Sequence, residues 1–300
     1  MWFVGGSLIA GLFLAIFATY GYAPPRLIVL CAFALDGPHV YSTATRVLFD
    51  PVERHRTGKL WLCLLVLPIF IASSVLLFGP RPISILVLTW GHYHIFKQHM
   101  GFVFLFKRKA REVSDFSLDK YFTLGSMFLP YVYFVIAYVT GHQAWLPPFA
   151  IAGFILAAYF AWHQMQLPQR NVPKLLLLAV FIPLHWVAFV WAAEDPGGRL
   201  MALVAVTNIG HSFQYLRLMW FHNNNRYSQH SGFLGLISRK WLYFLAVAFL
   251  LSFPIRVLPT TVPLMLTIPF TLVIFHYIVD ARIWRVRGDK ELAAALRLSA

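Results

Sequence analysis

Residues 174–193 read KLLLLAVFIPLHWVAFVWAA, an apolar run that carries a single histidine, His185, near its middle. A helix that crosses a bilayer needs about 20 mostly apolar residues, which is the length of this run. Comparable runs recur along the chain at 3–22, 26–48, 60–78, 83–105, 121–140, 147–166, 200–221, 241–257 and 262–284. The sequence therefore predicts an all-α integral membrane protein with about ten transmembrane helices.

The composition also favours lipid as the solvent of this chain. Hydrophobic residues make up 59% of the 300 positions and charged residues 12%, and the mean hydropathy is +0.67. Soluble domains carry about 25% charged residues. The net charge of +14 does not indicate a nucleic-acid partner, because the basic residues form short clusters between the apolar runs. The two cysteines, Cys31 and Cys63, form no CxxC pair, so we do not expect a thiolate metal site.

The basic clusters predict the topology. They fall in alternate connections, such as 54–59 and 107–120, whereas the connections between them hold only Arg26, Arg81, Arg199 and Arg256. Because cytoplasmic loops carry the excess of Lys and Arg, we expect both termini in the cytoplasm and an even number of spans. We expect residues 1–285 to form a single polytopic transmembrane domain and residues 286–300 a short cytoplasmic amphipathic tail.

Four histidines lie at similar depth on four different predicted spans, about 9 to 14 residues from the outer end of each. They are His39, His92, His211 and His276. Ionisable groups inside a bilayer normally face the bundle interior, and neutral imidazole is the commonest protein metal ligand. We predict a histidine-lined interior metal site with these four as ligands; the alternative is that each only hydrogen bonds a neighbouring helix. Reserve candidates are His94, His99 and His163.

Five polar residues lie close enough in sequence to the candidate ligands to hydrogen bond them. They are Asp36, Gln98, Gln214, Tyr215 and Asp280. Asp280 follows His276 by one helical turn, so it could accept the second N–H of that imidazole, as carboxylates often do beside metal ligands. It could equally pair with a basic residue such as Arg282 at the membrane interface. The sequence assigns no catalytic residue.

The donor set narrows the choice of metal. Several imidazoles without cysteine suit iron, copper or zinc rather than magnesium or calcium. We expect Fe(II), with Zn, Cu and haem as alternatives, since paired helical histidines could also be axial haem ligands. The HxxHH boxes of membrane desaturases and the HExxH of zinc proteases are both absent.

Four segments resemble, in the same order, motifs of the Brp/Blh-type membrane carotenoid cleavage dioxygenases. They are GPH at 37–39, WGHYH at 90–94, IGHS at 209–212 and HYIVD at 276–280. The resemblance implies a non-haem iron held by histidines and an O₂-dependent attack on an apolar substrate. The chain departs from the family at the third motif, where Tyr215 stands in place of a second histidine. In that case His276, His94 or Gln214 would supply the missing ligand.

These observations predict a membrane-embedded, metal-dependent oxygenase or oxidoreductase of the dioxygenase kind. Its partners would be the lipid bilayer, O₂ and an apolar, lipid-soluble small molecule. Two alternatives remain open. One is a proton-coupled transporter in which the histidines and Lys97 form a relay. The other is a haem-binding electron-transfer protein.

Overall fold

The computed structural model describes residues 2–113, 115–256 and 263–298, and 84% of the chain is helical, with no strand in the described ranges. This confirms the all-α class. Besides the α-helices, the chain forms a π-helical turn at Ala32–Asp36 and 3-10 turns at Gly58–Leu62 and Pro263–Leu266. The α-helices are α1 (Trp2–Tyr20), α2 (Pro25–Cys31), α3 (Gly37–Val47), α4 (Pro51–Arg56), α5 (Cys63–Phe78), α6 (Pro80–Lys109), α7 (Phe116–Thr140), α8 (Leu146–Met165), α9 (Val172–Ala193), α10 (Leu200–Tyr227), α11 (Phe233–Arg239), α12 (Trp241–Arg256), α13 (Thr267–Ile283) and α14 (Lys290–Ala295).

Several helices are long and apolar enough to cross a membrane. Five stretches among the described residues meet this condition: Pro25–Val47, Gly58–Phe78, Phe116–Thr140, Leu146–Met165 and Val172–Ala193. A sixth would be formed by α11 and α12 together, which are bent by 118° at their junction. The helices that carry most of the candidate histidines, α6, α10 and α13, are not among them. Their polar residues lower the hydropathy of α6 and α10, and α13 has only 17 residues.

The chain folds into two compact units. The first unit holds Met1–Cys31 and Ile95–Gln214, and the second holds Ala32–His94 and Tyr215–Ala300. In the first unit α7 packs against α8 and α9, and α1 packs against α9. The rings of Phe122 and Phe160 stack there with centroids 3.8 Å apart. Side-chain caps fix where the two central helices begin, because Asp115 accepts a hydrogen bond from the amide of Ser117 at the start of α7 and Asn171 caps α9.

Charged side chains are buried together in the first unit, and we call this group the ionic cluster. It consists of Lys107, Glu112, Asp119 and Lys174. Lys174 Nζ donates to Asp119 Oδ1 at 3.0 Å and to Glu112 Oε1 at 2.5 Å, and Lys107 pairs with Asp119. Two lysines facing two carboxylates leave no net charge, which is the condition under which buried charges are tolerated.

In the second unit α3 packs against α12 and α13, and α13 also packs against α5. The approach of α3 to α12 requires a residue without a side chain, because a Cβ on Gly37 would lie 3.0 Å from the Ser252 side chain. The apolar core of this unit surrounds Tyr215 and includes Phe244, Phe275 and Val279. These contacts hold the first turns of α3 against the middle of α13.

The end of the chain docks onto the second unit. Asp289 caps α14 by accepting from the Leu292 amide, and Leu292 is fully buried. Asn225 Nδ2 near the end of α10 donates to the Ala295 carbonyl at 2.8 Å. The helix α14 therefore has one buried apolar side and one exposed side, and its location in the cytoplasm stays a prediction.

Candidate metal site

The site begins where the π-helical turn Ala32–Asp36 meets α3. Pro38 has no backbone N–H, and its ring crowds the carbonyl four residues earlier, which disfavours a regular α-helical turn before it. A widened π turn takes its place, a feature often found at functional sites. His39, the residue after Pro38, and Thr43, one helical turn later, are both buried in the second unit.

His276 on α13 meets His39 directly. The two Nε2 atoms lie 2.9 Å apart, and the rings are nearly perpendicular, with centroids separated by 4.6 Å. Both residues are at most 2% exposed. At this distance the two nitrogens share either one proton or one cation.

His94 on α6 reaches the same place. Its ring centroid lies 5.1 Å from that of His276, and its Nε2 lies 3.9 Å from Asp280 Oδ2. The His94 ring stacks on Tyr277 at 4.5 Å. Gly91 makes room for this stack, since a Cβ at that position would lie 2.8 Å from the Tyr277 hydroxyl. We call His39, His94, His276 and Asp280 the histidine cluster.

A hydrogen-bond network orients His276 from behind. Thr43 Oγ1 lies 2.9 Å from His276 Nδ1 and 2.8 Å from the hydroxyl of Tyr215. Tyr215 donates to Asp280 Oδ1 at 2.6 Å, and the Trp284 indole N–H donates to the Tyr215 hydroxyl at 3.4 Å. With its proton on Nδ1, His276 donates to Thr43, and its Nε2 lone pair then points at His39. This is the tautomer that a metal ligand needs.

The donor atoms fit a transition-metal ion. Ligand atoms about 2.1 Å from an ion lie about 3.0–3.4 Å apart at angles of 90–110°. The 2.9 Å between His39 and His276 meets this, and the 3.9 Å between His94 and Asp280 corresponds to a wider angle. Donor atoms of His94, His276 and Asp280 all lie within 4.8 Å of one another. Imidazoles with one carboxylate suit iron, zinc or copper.

The other two histidines of α6 lie outside this cluster. His92 belongs to the second unit, and its Nδ1 faces the Leu88 carbonyl of its own helix at 2.9 Å. His99 belongs to the first unit, where its Nδ1 faces the Ile95 carbonyl at 2.9 Å and its ring packs on Phe181. Both imidazoles therefore use one nitrogen to bond the preceding helical turn.

The remaining predicted residues are distributed over both units. In the first unit, His211 is buried on α10, with its backbone carbonyl accepting from Gln98 Nε2 at 3.1 Å. Gln214 Nε2 donates to Ser7 Oγ at 3.5 Å, and His163 lies in the last turn of α8. Asp36 is partly exposed at the end of the π turn in the second unit. Of the predicted ligands and neighbours, the histidine cluster and its network unite His39, His94, Tyr215, His276 and Asp280.

The structure adds two residues that the sequence analysis did not name. Thr43 follows His39 by one helical turn, and Trp284 follows Asp280 by one helical turn. The i, i+4 spacing from predicted site residues would have pointed to both.

The chemistry of this site is read from its geometry. Comparison with family models, with curated proteins and with solved structures finds no match to this chain.

Proposed function

We propose that this chain is a membrane-embedded metal oxidoreductase of the oxygenase kind, with one Fe(II) ion in the histidine cluster. Its substrates would be O₂ and an apolar, lipid-soluble molecule. The observation that carries the proposal is the convergence of two buried imidazoles, the partly buried imidazole of His94 and one buried carboxylate, from α3, α6 and α13, within the second unit. In this proposal His94 is the ligand from α6 in place of His92, which faces the Leu88 carbonyl; His211 stays a predicted ligand from the sequence.

Charge balance supports a cation. Asp280 is buried, and a carboxylate in such a place is costly unless positive charge compensates it. The imidazoles of His39, His94 and His276 are neutral donors, so a divalent ion would supply that charge. Such an ion, bound there, would provide a redox-active centre with coordination positions left open.

The protein groups around the cluster have separate roles in this proposal. Thr43 holds the ring of His276 in the ligating tautomer, and Tyr215 holds the carboxylate of Asp280 through its hydroxyl. Tyr277 fixes the plane of the His94 ring by stacking. The apolar core around Tyr215 excludes bulk water from the site.

The membrane part of the proposal is that all ten predicted segments cross the bilayer, with both termini in the cytoplasm. The histidine-bearing helices α6 and α10 have 30 and 28 residues. They are about 45 and 42 Å long, which exceeds the hydrocarbon thickness of about 30 Å. Apolar side chains such as Leu65, Ile69 and Leu76 of α5 are exposed, as lipid-facing residues are. A substrate reaching the interior from lipid would itself be apolar.

One observation favours a second candidate, a proton-coupled transporter. Short contacts run without interruption from His39 through His276, Thr43 and Tyr215 to Asp280. Such a chain of imidazoles, hydroxyls and a carboxylate can pass protons without any metal.

Metal analysis together with an absorption spectrum of the detergent-purified protein would separate these candidates. We expect about one iron per chain and no Soret band in the wild type. His39→Ala and His276→Ala should lose most of the iron. His163→Ala, which removes a partly exposed histidine of the first unit, should retain it.

Other outcomes would overturn the proposal. A Soret band would indicate haem. Wild-type protein that takes up no metal after anaerobic incubation with Fe(II), yet moves protons across reconstituted vesicles, would favour the transporter.

A further inference from the structure

A second polar group lies about 10 Å beyond the histidine cluster, along the same helices of the second unit. Arg46 follows His39 by two helical turns on α3. Trp284, the residue directly after α13, follows His276 by about two turns. His222 and Arg226, which lie one turn apart on α10, are the other two members of this group. We call the group the arginine cluster; it consists of Arg46, His222, Arg226 and Trp284.

Arg46 and His222 both pack against Trp284, and Arg226 lies one turn after His222 on α10. The guanidinium carbon of Arg46 lies 4.7 Å from the centre of the Trp284 ring system, and the His222 ring centroid lies 5.8 Å from it. Arg46 and His222 are fully buried, whereas the side chain of Arg226 is 15% exposed. The cluster is therefore internal and opens at Arg226.

The two arginines use only part of their hydrogen-bonding capacity. Arg46 Nη2 donates to Glu53 at 3.0 Å, and Arg226 Nη2 lies 3.3 Å from Asp50 and 2.9 Å from Glu291. Among the residues that the structure describes, Arg46 Nε and Nη1 and Arg226 Nη1 have no hydrogen-bond partner, although all three are buried. Buried donors without an acceptor are costly, so these nitrogens indicate a ligand with several acceptor oxygens.

The protonation of His222 follows from its neighbours. The Thr45 hydroxyl donates to the Ser42 carbonyl at 2.6 Å, so it must accept the bond from Asn223 Nδ2 at 2.9 Å. That orientation directs Asn223 Oδ1 at His222 Nδ1, 3.0 Å away, and Nδ1 must carry the proton. Nε2 of His222 is then an acceptor, and it too has no partner among the described residues.

His222 follows the predicted span 200–221, and it stays neutral. Burial lowers the pKa of this imidazole to about 3, and the positive charges of Arg46 and Arg226 act in the same direction. The arginine cluster thus offers donors from two guanidinium groups and one acceptor from a neutral imidazole.

We propose that the arginine cluster binds a phosphate monoester or inorganic phosphate in its singly protonated form. Its unprotonated oxygens would accept from Arg46 and Arg226, and its P–O–H would donate to His222 Nε2. Because its second pKa is about 6, a fraction of a phosphate monoester still carries this proton near neutral pH, whereas a phosphate diester or sulfate carries none. Arginine is the side chain best suited to bind phosphate oxygens in pairs. The site does not depend on a metal in the histidine cluster.

The experiment measures binding calorimetrically on the full chain in a neutral detergent, with four probes. Inorganic phosphate and sulfate test for the P–O–H, because sulfate has the same shape but no proton at pH 7. Dioleoylphosphatidic acid and dioleoylphosphatidylglycerol test the same difference in a lipid headgroup, monoester against diester. We expect one phosphate-type ligand per chain and at least tenfold weaker binding of sulfate or of the diester. Binding of both inorganic phosphate and phosphatidic acid indicates that the ligand is free phosphate. Binding of phosphatidic acid alone indicates a lipid.

Two variants sharpen the test. His222→Phe keeps a ring beside Trp284 but removes the acceptor, so it should abolish the preference for phosphate over sulfate. Arg46→Lys should weaken phosphate at least tenfold, and Arg54→Lys, at an exposed arginine of α4, should not. If Arg46→Lys does not fold, the probe comparison on wild type and His222→Phe decides alone. The proposal would be overturned if the folded wild type bound neither inorganic phosphate nor phosphatidic acid, or if it bound phosphate and sulfate equally.

Discussion

The Nε2 atoms of His39 and His276 lie 2.9 Å apart although 237 residues separate them in sequence. Two N–H groups cannot face each other at this distance, so at least one of the nitrogens presents a lone pair. When the Nδ1 proton of His276 is donated to Thr43, His276 is the ring that presents the lone pair.

The choice of ligand on α6 is the sharpest test of the proposed metal site. His94→Ala should reduce bound iron at least tenfold, because His94 Nε2 faces Asp280 and the His276 ring. His92→Ala removes a buried histidine from the same helix that faces the Leu88 carbonyl instead, and it should retain the iron. Metal analysis of the two purified variants makes the comparison. Loss of iron in the His92 variant with retention in the His94 variant would reverse our assignment.

Thr43 should matter for metal affinity although it is not a proposed ligand. Thr43→Val keeps the shape of the side chain but leaves His276 Nδ1 without its hydroxyl partner. Loss of such an orienting bond typically costs about 10- to 100-fold in metal affinity. Thr43→Ser should restore most of it. Ser42→Ala is the control, because the Ser42 hydroxyl bonds only the backbone of its own helix. Equal affinities in all three variants and the wild type, measured by competition with a chelator, would contradict the role of Thr43.

Gly91→Ala should change the free energy of unfolding with opposite sign in the wild type and in the Tyr277→Phe variant. In the wild type a new Cβ would lie 2.8 Å from the Tyr277 hydroxyl, and we expect Gly91→Ala to destabilise the fold by about 1–3 kcal/mol. In Tyr277→Phe that oxygen is gone and the next atom lies at 3.6 Å. The substitution should then stabilise by up to about 1 kcal/mol through helix propensity.

Gly101→Ala on the same helix provides the control for Gly91. Among the described residues, no atom outside the backbone of its own helix and its chain neighbours lies within 4 Å of a Cβ there, so this change should be favourable in both backgrounds. Denaturant titration of the reconstituted protein gives the free energies of unfolding. A Gly91 effect that is independent of residue 277 would show that the stack of Tyr277 on His94 does not constrain this position.

The ionic cluster of the first unit should be sensitive to the loss of one charge. Asp119→Asn leaves the buried ammonium groups of Lys107 and Lys174 with one carboxylate fewer, and should destabilise by about 3–5 kcal/mol. Glu194→Gln breaks a pair with Arg199 in which the glutamate is 55% exposed, and should cost less than about 1 kcal/mol. Unfolding free energies measure both. Similar values for the two variants would mean that water reaches the cluster.

The sequence predicted the all-α class correctly, and five of its ten predicted spans correspond to described stretches that are long and apolar enough to cross a membrane. The predicted segment 174–193 corresponds to α9, Val172–Ala193. The segment 26–48 is less regular: it divides into α2, the π turn and α3, because Pro38 interrupts it. The break in this segment reflects the local steric effect of a proline, and the length of an apolar run does not reveal such a break.

The sequence predicted how far along their helices the site residues lie, but not which side of each helix faces the site. Distance from the helix end placed His39 and His276 at one level, and the structure brings them together. The same criterion cannot separate His92 from His94, because two residues turn a helix by about 200° and shift it by only 3 Å. Which of them joins the histidine cluster depends on how α6 packs, and here Gly91 and Tyr277 contribute to that packing.

The separation of 237 residues between His39 and His276 also governs when the site can exist during biosynthesis. At about 5–20 residues per second, roughly 10–50 s pass between synthesis of the first imidazole and the last. Until α13 has been synthesised, His39 and His94 lie in a nascent chain that lacks His276 and Asp280. Loading of the ion would therefore be a late maturation step, open to competition from whichever metal is most abundant at that moment.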